Sequence, residues 1–161
     1  MDEKLKSSST LEEANAWLLA RIHEGVDCPC CGQLAKIYKR SLNNNMARVL
    51  ILLYKARGQW VHLSSQLSGL SEADIKAVNN REWAKMVYWD LVQERARESD
   101  AKKNSGYWTI TEQGVAFVLG LSTVQRYALV YDSRLYGFNG GEVSIDDVIG
   151  EAFDYAELMS R

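Results

Sequence analysis

Between residues 44 and 57 the chain is apolar at nearly every position a helix can bury. Met46, Val49, Leu50, Leu53 and Ala56 form one face, and Ile51, Leu52 and Tyr54 spread it around the axis. This pattern predicts a helix over Met46–Arg57 that is covered on several sides. Asn43-Asn44-Asn45 offers caps ahead of it and Gly58 stops it. Upstream, Leu11, Ala14, Leu18 and Ile22 recur at helical spacing with Trp17 beside them. They predict an amphipathic helix of about four turns, opened by Ser9 or Thr10 with Glu12 or Glu13 and ending near Gly25. Downstream, Gln59–Leu63 reads as a short strand. Ser71-Glu72-Ala73-Asp74 opens a helix to about Asn79 that buries Ile75 and Val78. Arg81–Leu91 follows as a third helix, with Trp83, Ala84, Val87 and Leu91 on one side and Met86 and Trp89 flanking them. The pattern then turns to strand over Leu91–Arg97, to a charged tip over Glu98–Ser105, and to an aromatic return strand over Gly106–Ile110. Thr111-Glu112-Gln113 caps a helix to Leu119, ended by Gly120.

Beyond that helix, Tyr127–Tyr131 predicts a strand, Asn139-Gly140-Gly141 a tight turn, and Glu142–Ile145 a return strand. Ser144 or Asp146 opens a last helix through Val148, Ile149, Phe153 and Tyr155. The implied fold class is mainly α with a small antiparallel sheet (α+β). Its centre is a winged helix-turn-helix, with an N-terminal helix and cysteine knuckle before it and a β-ribbon plus helix after it. The expected division is 1–42 for the helix and knuckle, 43–120 for the winged-helix domain, and 121–161 for the ribbon and acidic helix packed on it.

Composition changes this picture little. A chain of 161 residues, 47% hydrophobic, can bury one sizeable core. Its longest apolar run, Val49–Tyr54, is too short to span a bilayer, and MDEKLKSSST lacks the apolar stretch of a secretory signal. Three cysteines within four residues suggest a reduced compartment rather than a disulfide framework, so a cytoplasmic location is expected. Charge changes more. The formal net charge is -2, yet residues 28–131 carry fourteen Lys and Arg against eight Asp and Glu, a net of +6. Residues 36–57 hold six cations and no acid, whereas residues 142–161 hold six acids against Arg161.

The sharpest local motif is Cys28-Pro29-Cys30-Cys31-Gly32. Cys28 and Cys31 have the spacing at which two thiolates grip one tetrahedral zinc ion, and Gly32 permits the turn that aims backbone N–H groups at sulfur. A closed structural site needs four ligands and there is no second C-x-x-C; Cys30, His23 and His62 are the further candidates. A metal-free turn, thiols packed as small hydrophobes, and a redox dithiol are the competing readings.

Enzymatic chemistry is not expected. The two histidines stand apart from any Ser, Cys or Asp constellation, and Gly137–Gly141 lacks the Lys-Ser/Thr of a phosphate-binding loop. Asp146, Asp147 and Glu151 fit helix N-terminal acids better than a cation site. The basic side chains suit duplex DNA: Arg81 and Lys85 on the third helix, Arg95, Arg97, Lys102 and Lys103 in the wing, and Lys36, Lys39 and Arg40 ahead of the domain. Winged helices that read paired half-sites are often dimeric, so a homodimer is an open expectation. The alternative is a protein-binding module, using an exposed aromatic among Trp83, Tyr88 and Trp89 or the acidic C-terminal helix.

The segment Gly106-Tyr107-Trp108-Thr109-Ile110-Thr111 followed by Gly114 resembles the second wing strand and following helix of MarR-like winged-helix proteins. The longer pattern is CPCCG at 28–32, KIYKRSLN at 36–43, the tryptophan-rich helix, the wing, and FDYAEL at 153–158. Over about residues 26–160 it is similar to a group of small phage-encoded winged-helix proteins with a CPxCG zinc-knuckle-like motif. The resemblance implies the fold and, for a phage protein, the host-cell cytoplasm, where DNA or a host protein is the partner; it implies little chemistry.

Overall fold

Asn43 opens the central helix: its side-chain oxygen accepts the Met46 N–H at 3.0 Å, and α2 (Asn44–Lys55) runs from there. It is preceded by α1 (Leu11–Leu19), the two-residue strands β1 (Val26–Asp27) and β2 (Leu34–Ala35), and β3 (Tyr38–Ser41). After it come β4 (Val61–His62), α3 (Glu72–Asn80), a 3-10 helix (Glu82–Trp89), β5 (Val92–Glu94), β6 (Tyr107–Ile110) and α4 (Glu112–Val118). The chain ends with β7 (Val124–Tyr131), β8 (Arg134–Val143), α5 (Ile145–Ile149) and α6 (Tyr155–Ser160). This computed structural model describes residues 5–96, 105–150 and 154–160. Of these, 39% are helical and 24% are in strands, so the protein is mixed α and β with small antiparallel sheets rather than mainly α. No helix among the described residues is long and apolar enough to cross a membrane.

The chain divides into two compact units, Met1–Arg40 with Ala128–Phe138, and Ser41–Tyr127 with Asn139–Arg161. In the first, β1 and β2 pair antiparallel, Val26 opposite Ala35 and Asp27 opposite Leu34. Leu18, Ile22 and Ala35 form its core, with Trp17, Val26, Cys28, Ile37 and Tyr131 packed on them. The α1 helix is shorter than its periodicity predicts. Leu11 lies 80% exposed, and Ile22 is buried from the turns that follow the helix, not from the helix itself. A capping box between Thr10 and Glu13 fixes the start.

In the second unit α2 is the hub. Val49, Leu50 and Leu53 are fully buried, and α3, the 3-10 helix, α4, α5, α6 and β6 all pack around it. The sheet beside these helices has the order β4-β6-β5, antiparallel throughout, with Val61 opposite Trp108 and Val92 opposite Ile110. Thr111 ties α4 to this sheet. Its hydroxyl donates to the Asp90 carbonyl, its N–H donates to the Leu91 carbonyl at 3.1 Å, and its oxygen accepts the Gly114 N–H at 2.9 Å. Lys55 Nζ donates to the Leu158 carbonyl, and the Tyr155 hydroxyl donates to the Val118 carbonyl at 2.6 Å, anchoring α6. A third sheet has the order β3-β7-β8, and the bounds of the two units fall within all three of its strands.

Three expectations are corrected. The third helix is 3-10 rather than α, flanked by Arg81 and Asp90 in the left-handed conformation (φ 61° and 56°). With three residues per turn the buried set becomes Trp83, Met86 and Trp89, while Val87 is 42% exposed. Second, β8 runs unbroken through Asn139-Gly140-Gly141; the turn is Asp132-Ser133, both at positive φ (50° and 58°), as a two-residue hairpin demands. Gly140 is glycine for a different reason: a Cβ there would meet the Tyr127 ring at 2.2 Å. Third, the last helix is two, α5 stopping at Gly150, with Ile145, Ile149 and Leu158 buried.

Candidate nucleic-acid interface and cysteine knuckle

The connection between β5 and β6 is organised at its base by one aromatic ring. The Arg95 N–H donates to the Tyr107 carbonyl at 2.8 Å, extending the ladder one residue past β5. The Arg95 guanidinium then lies over the Tyr107 ring, 4.3 Å from its centroid. From β4, the His62 ring meets the same Tyr107 ring edge-on at 5.1 Å, and His62 Nδ1 lies 2.7 Å from the Ser65 hydroxyl. Arg95 is exposed, so the stack fixes its stem and leaves the cation at the surface. Arg97, Lys102 and Lys103 lie outside the described residues.

On the 3-10 helix both tryptophans are committed to the interior. Trp83 packs edge-to-face on Trp108 at 5.0 Å and donates its indole N–H to the Val78 carbonyl at 2.9 Å; Trp89 donates to the Gln125 carbonyl at 2.7 Å. Neither is the exposed anchor that a protein-binding reading asked of this helix, and Tyr88 is half-buried. Arg81 is exposed at the helix start and Lys85 is half-buried. Two acids near these cations are held by the fold's own donors: Glu82 accepts Asn43 Nδ2 at 2.8 Å and Glu94 accepts the Gly106 N–H at 3.1 Å.

Lys36, Lys39 and Arg40 are exposed and belong to the first unit, whereas Arg81, Lys85 and Arg95 belong to the second. Their organiser is Tyr38, 42% exposed, with Lys36 Nζ at 5.1 Å and the Arg40 guanidinium at 5.8 Å from its ring. Period-two alternation of Lys36, Tyr38 and Arg40 was the signal in the sequence for this cluster. The basic segment is not uniform, however. Arg48 makes a 2.8 Å ion pair with Asp74, both about nine-tenths buried, and Lys55 is used to hold α6.

The knuckle is closed by the β1–β2 ribbon. The Cys28 N–H donates to the Gln33 carbonyl at 2.7 Å and the Gly32 N–H to the Cys28 carbonyl at 2.8 Å. Cys28 is half-buried against the first unit's core; Cys30 and Cys31 are exposed, and all three are free thiols. Hydrogen bonding from the Cys31 and then the Cys30 backbone, with smaller contributions from the side chains of Cys31 and Cys30, lowers the Cys28 thiol below its ordinary pKa. His23 stands edge-on to Tyr136 at 6.3 Å, and His62 belongs to the second unit in the stack above. Among the described residues no three His, Cys, Asp or Glu side chains are grouped so that they could hold a metal ion.

Three described C-terminal acids accept local hydrogen bonds: Glu142 from the Thr123 hydroxyl at 2.6 Å, Asp154 from the Ala156 N–H at 2.9 Å, and Asp147 at the start of α5. Asp147 accepts the Ser144 N–H at 2.8 Å, which holds its carboxyl below the usual range. Comparison with known proteins finds no matching family model, no matching curated protein and no matching solved structure.

Proposed function

We propose that the second unit is a winged helix that binds duplex DNA, with the β5–β6 connection as its wing and Arg81 and Lys85 on the third helix. The observation that carries this reading is the strand order β4-β6-β5 behind α2, α3 and the 3-10 helix, with a cation fixed at the wing base by the Arg95–Tyr107 stack. A surface cation whose stem is already ordered loses little side-chain entropy on meeting a phosphate, unlike a free lysine. The 3-10 helix presents few side chains with which to read bases, since Trp83, Met86 and Trp89 face inward. Binding is therefore dominated by phosphate contacts and discriminates sequence weakly.

The test is anisotropy of a labelled mixed-sequence duplex across a salt series. Arg95→Ala/Arg97→Ala/Lys102→Ala/Lys103→Ala is expected to weaken binding at least tenfold. It should also make the slope of log K against log salt shallower by about three to four, roughly 0.9 per lost phosphate contact. No detectable binding of the unaltered protein at low salt would sink the proposal.

A further inference from the structure

We propose that Cys28 and Cys31 form one half of a tetrahedral tetrathiolate zinc site, completed by the same pair from a second copy of this chain. The half-site is built. The β1–β2 ribbon closes the turn, and the hydrogen bonds from the Cys28 N–H to the Gln33 carbonyl and from the Gly32 N–H to the Cys28 carbonyl fix its shape. Packing against Leu18, Ile22 and Ala35 holds Cys28, while Cys31 stays exposed at the surface.

Two ligands do not close a zinc site, and a structural zinc takes four at Zn–S distances of about 2.3 Å. Among the described residues no third ligand converges on the pair, and His23 is placed against Tyr136 instead. An exposed two-thiol turn can complete its coordination with an identical turn related by a two-fold axis, the commonest symmetry of protein pairs. Leu34, 54% exposed on the same ribbon opposite Asp27, would be carried toward its symmetry mate and offers an apolar collar for that contact. On binding, each thiol gives its proton to solvent and a sulfur lone pair to zinc; nothing is oxidised or reduced.

The experiment uses the full chain, reduced, with zinc ion as the probe. Mass is read by light scattering and metal by elemental analysis. The expected result is a dimer carrying one zinc per two chains that returns to monomer with a chelator. Cys31→Ser, at an exposed position, should lose both dimer and zinc while keeping its circular dichroism; Cys30→Ser should keep both. A monomer holding one zinc per chain would overturn the proposal, because the missing ligands would then come from within the chain. A chain that binds no zinc, or a dimer indifferent to chelator and to Cys31→Ser, would overturn it equally. None of these readings requires DNA, so they stand or fall apart from the wing.

Discussion

Replacing Gly114 by alanine is expected to lower the unfolding midpoint by roughly 6–12 °C, a loss of about 3 kcal/mol. On an open helix the same change helps, since alanine is favoured over glycine by about 1 kcal/mol. Here the sign reverses. A Cβ at Gly114 would lie 2.2 Å from the Leu91 carbonyl oxygen and 2.6 Å from Ile110 Cγ1. The first of these is backbone and cannot swing aside. Relief requires α4 to move off the junction between the 3-10 helix and β5, which breaks the Thr111 hydrogen bonds to Asp90 and Leu91. Thermal unfolding followed by circular dichroism checks this. A midpoint unchanged or raised would mean that α4 does not pack on Leu91 as described. Because α4 follows β6 directly, the variant should also loosen the strand that carries Tyr107, so the proposed duplex binding belongs in the same comparison.

That Gly114 would matter was visible in the sequence only as part of a pattern, Thr111 to Gly114; the contact that gives it meaning is with Leu91, far outside any local window. The same division runs through the fold. The burial of α2 on several sides was legible because Ile51, Leu52 and Tyr54 spread its apolar positions around the axis, and the structure surrounds it with six elements. The capping residues Thr10, Asn43, Ser71, Thr111 and Ser144 were legible because caps are local chemistry. The third helix misled. Trp83, Met86 and Trp89 repeat every three residues, but a 3.6-residue reading spread burial onto Val87 instead. The Asn139-Gly140-Gly141 signal misled for a different reason. Glycine permits a turn, but it also permits close approach of a ring, and only the position of Tyr127 tells which. Of the candidate site, the rings beside the described cations were harder to read than the cations themselves. Nothing in composition singles out Tyr107 as the ring that holds Arg95, and only the period-two spacing of Lys36, Tyr38 and Arg40 points to Tyr38.

The ion pair between Arg48 and Asp74 decides how the basic segment should be counted. Asp74→Ala is expected to cost about 3–5 kcal/mol, because it leaves the Arg48 guanidinium, 11% exposed, without its carboxylate. For a chain of this size that corresponds to a midpoint lower by roughly 6–20 °C. Arg48→Met/Asp74→Leu, which removes both charges and keeps the volume, should be close to neutral, since the desolvation cost of the two ions goes with their attraction. Chemical denaturation of the wild type, the single variant and the double variant checks the comparison. A small loss in Asp74→Ala would mean that solvent reaches Arg48. The same pair separates stability from binding. Arg48 adds to the formal charge of residues 36–57, yet its charge is matched inside the fold by Asp74 of α3. The double variant should therefore bind duplex DNA with an unchanged salt slope, whereas Arg95→Ala, which disturbs no buried charge, should change the slope and leave the midpoint nearly where it was. If instead the double variant lost the slope, the field of the whole segment rather than the wing would be what holds the phosphates.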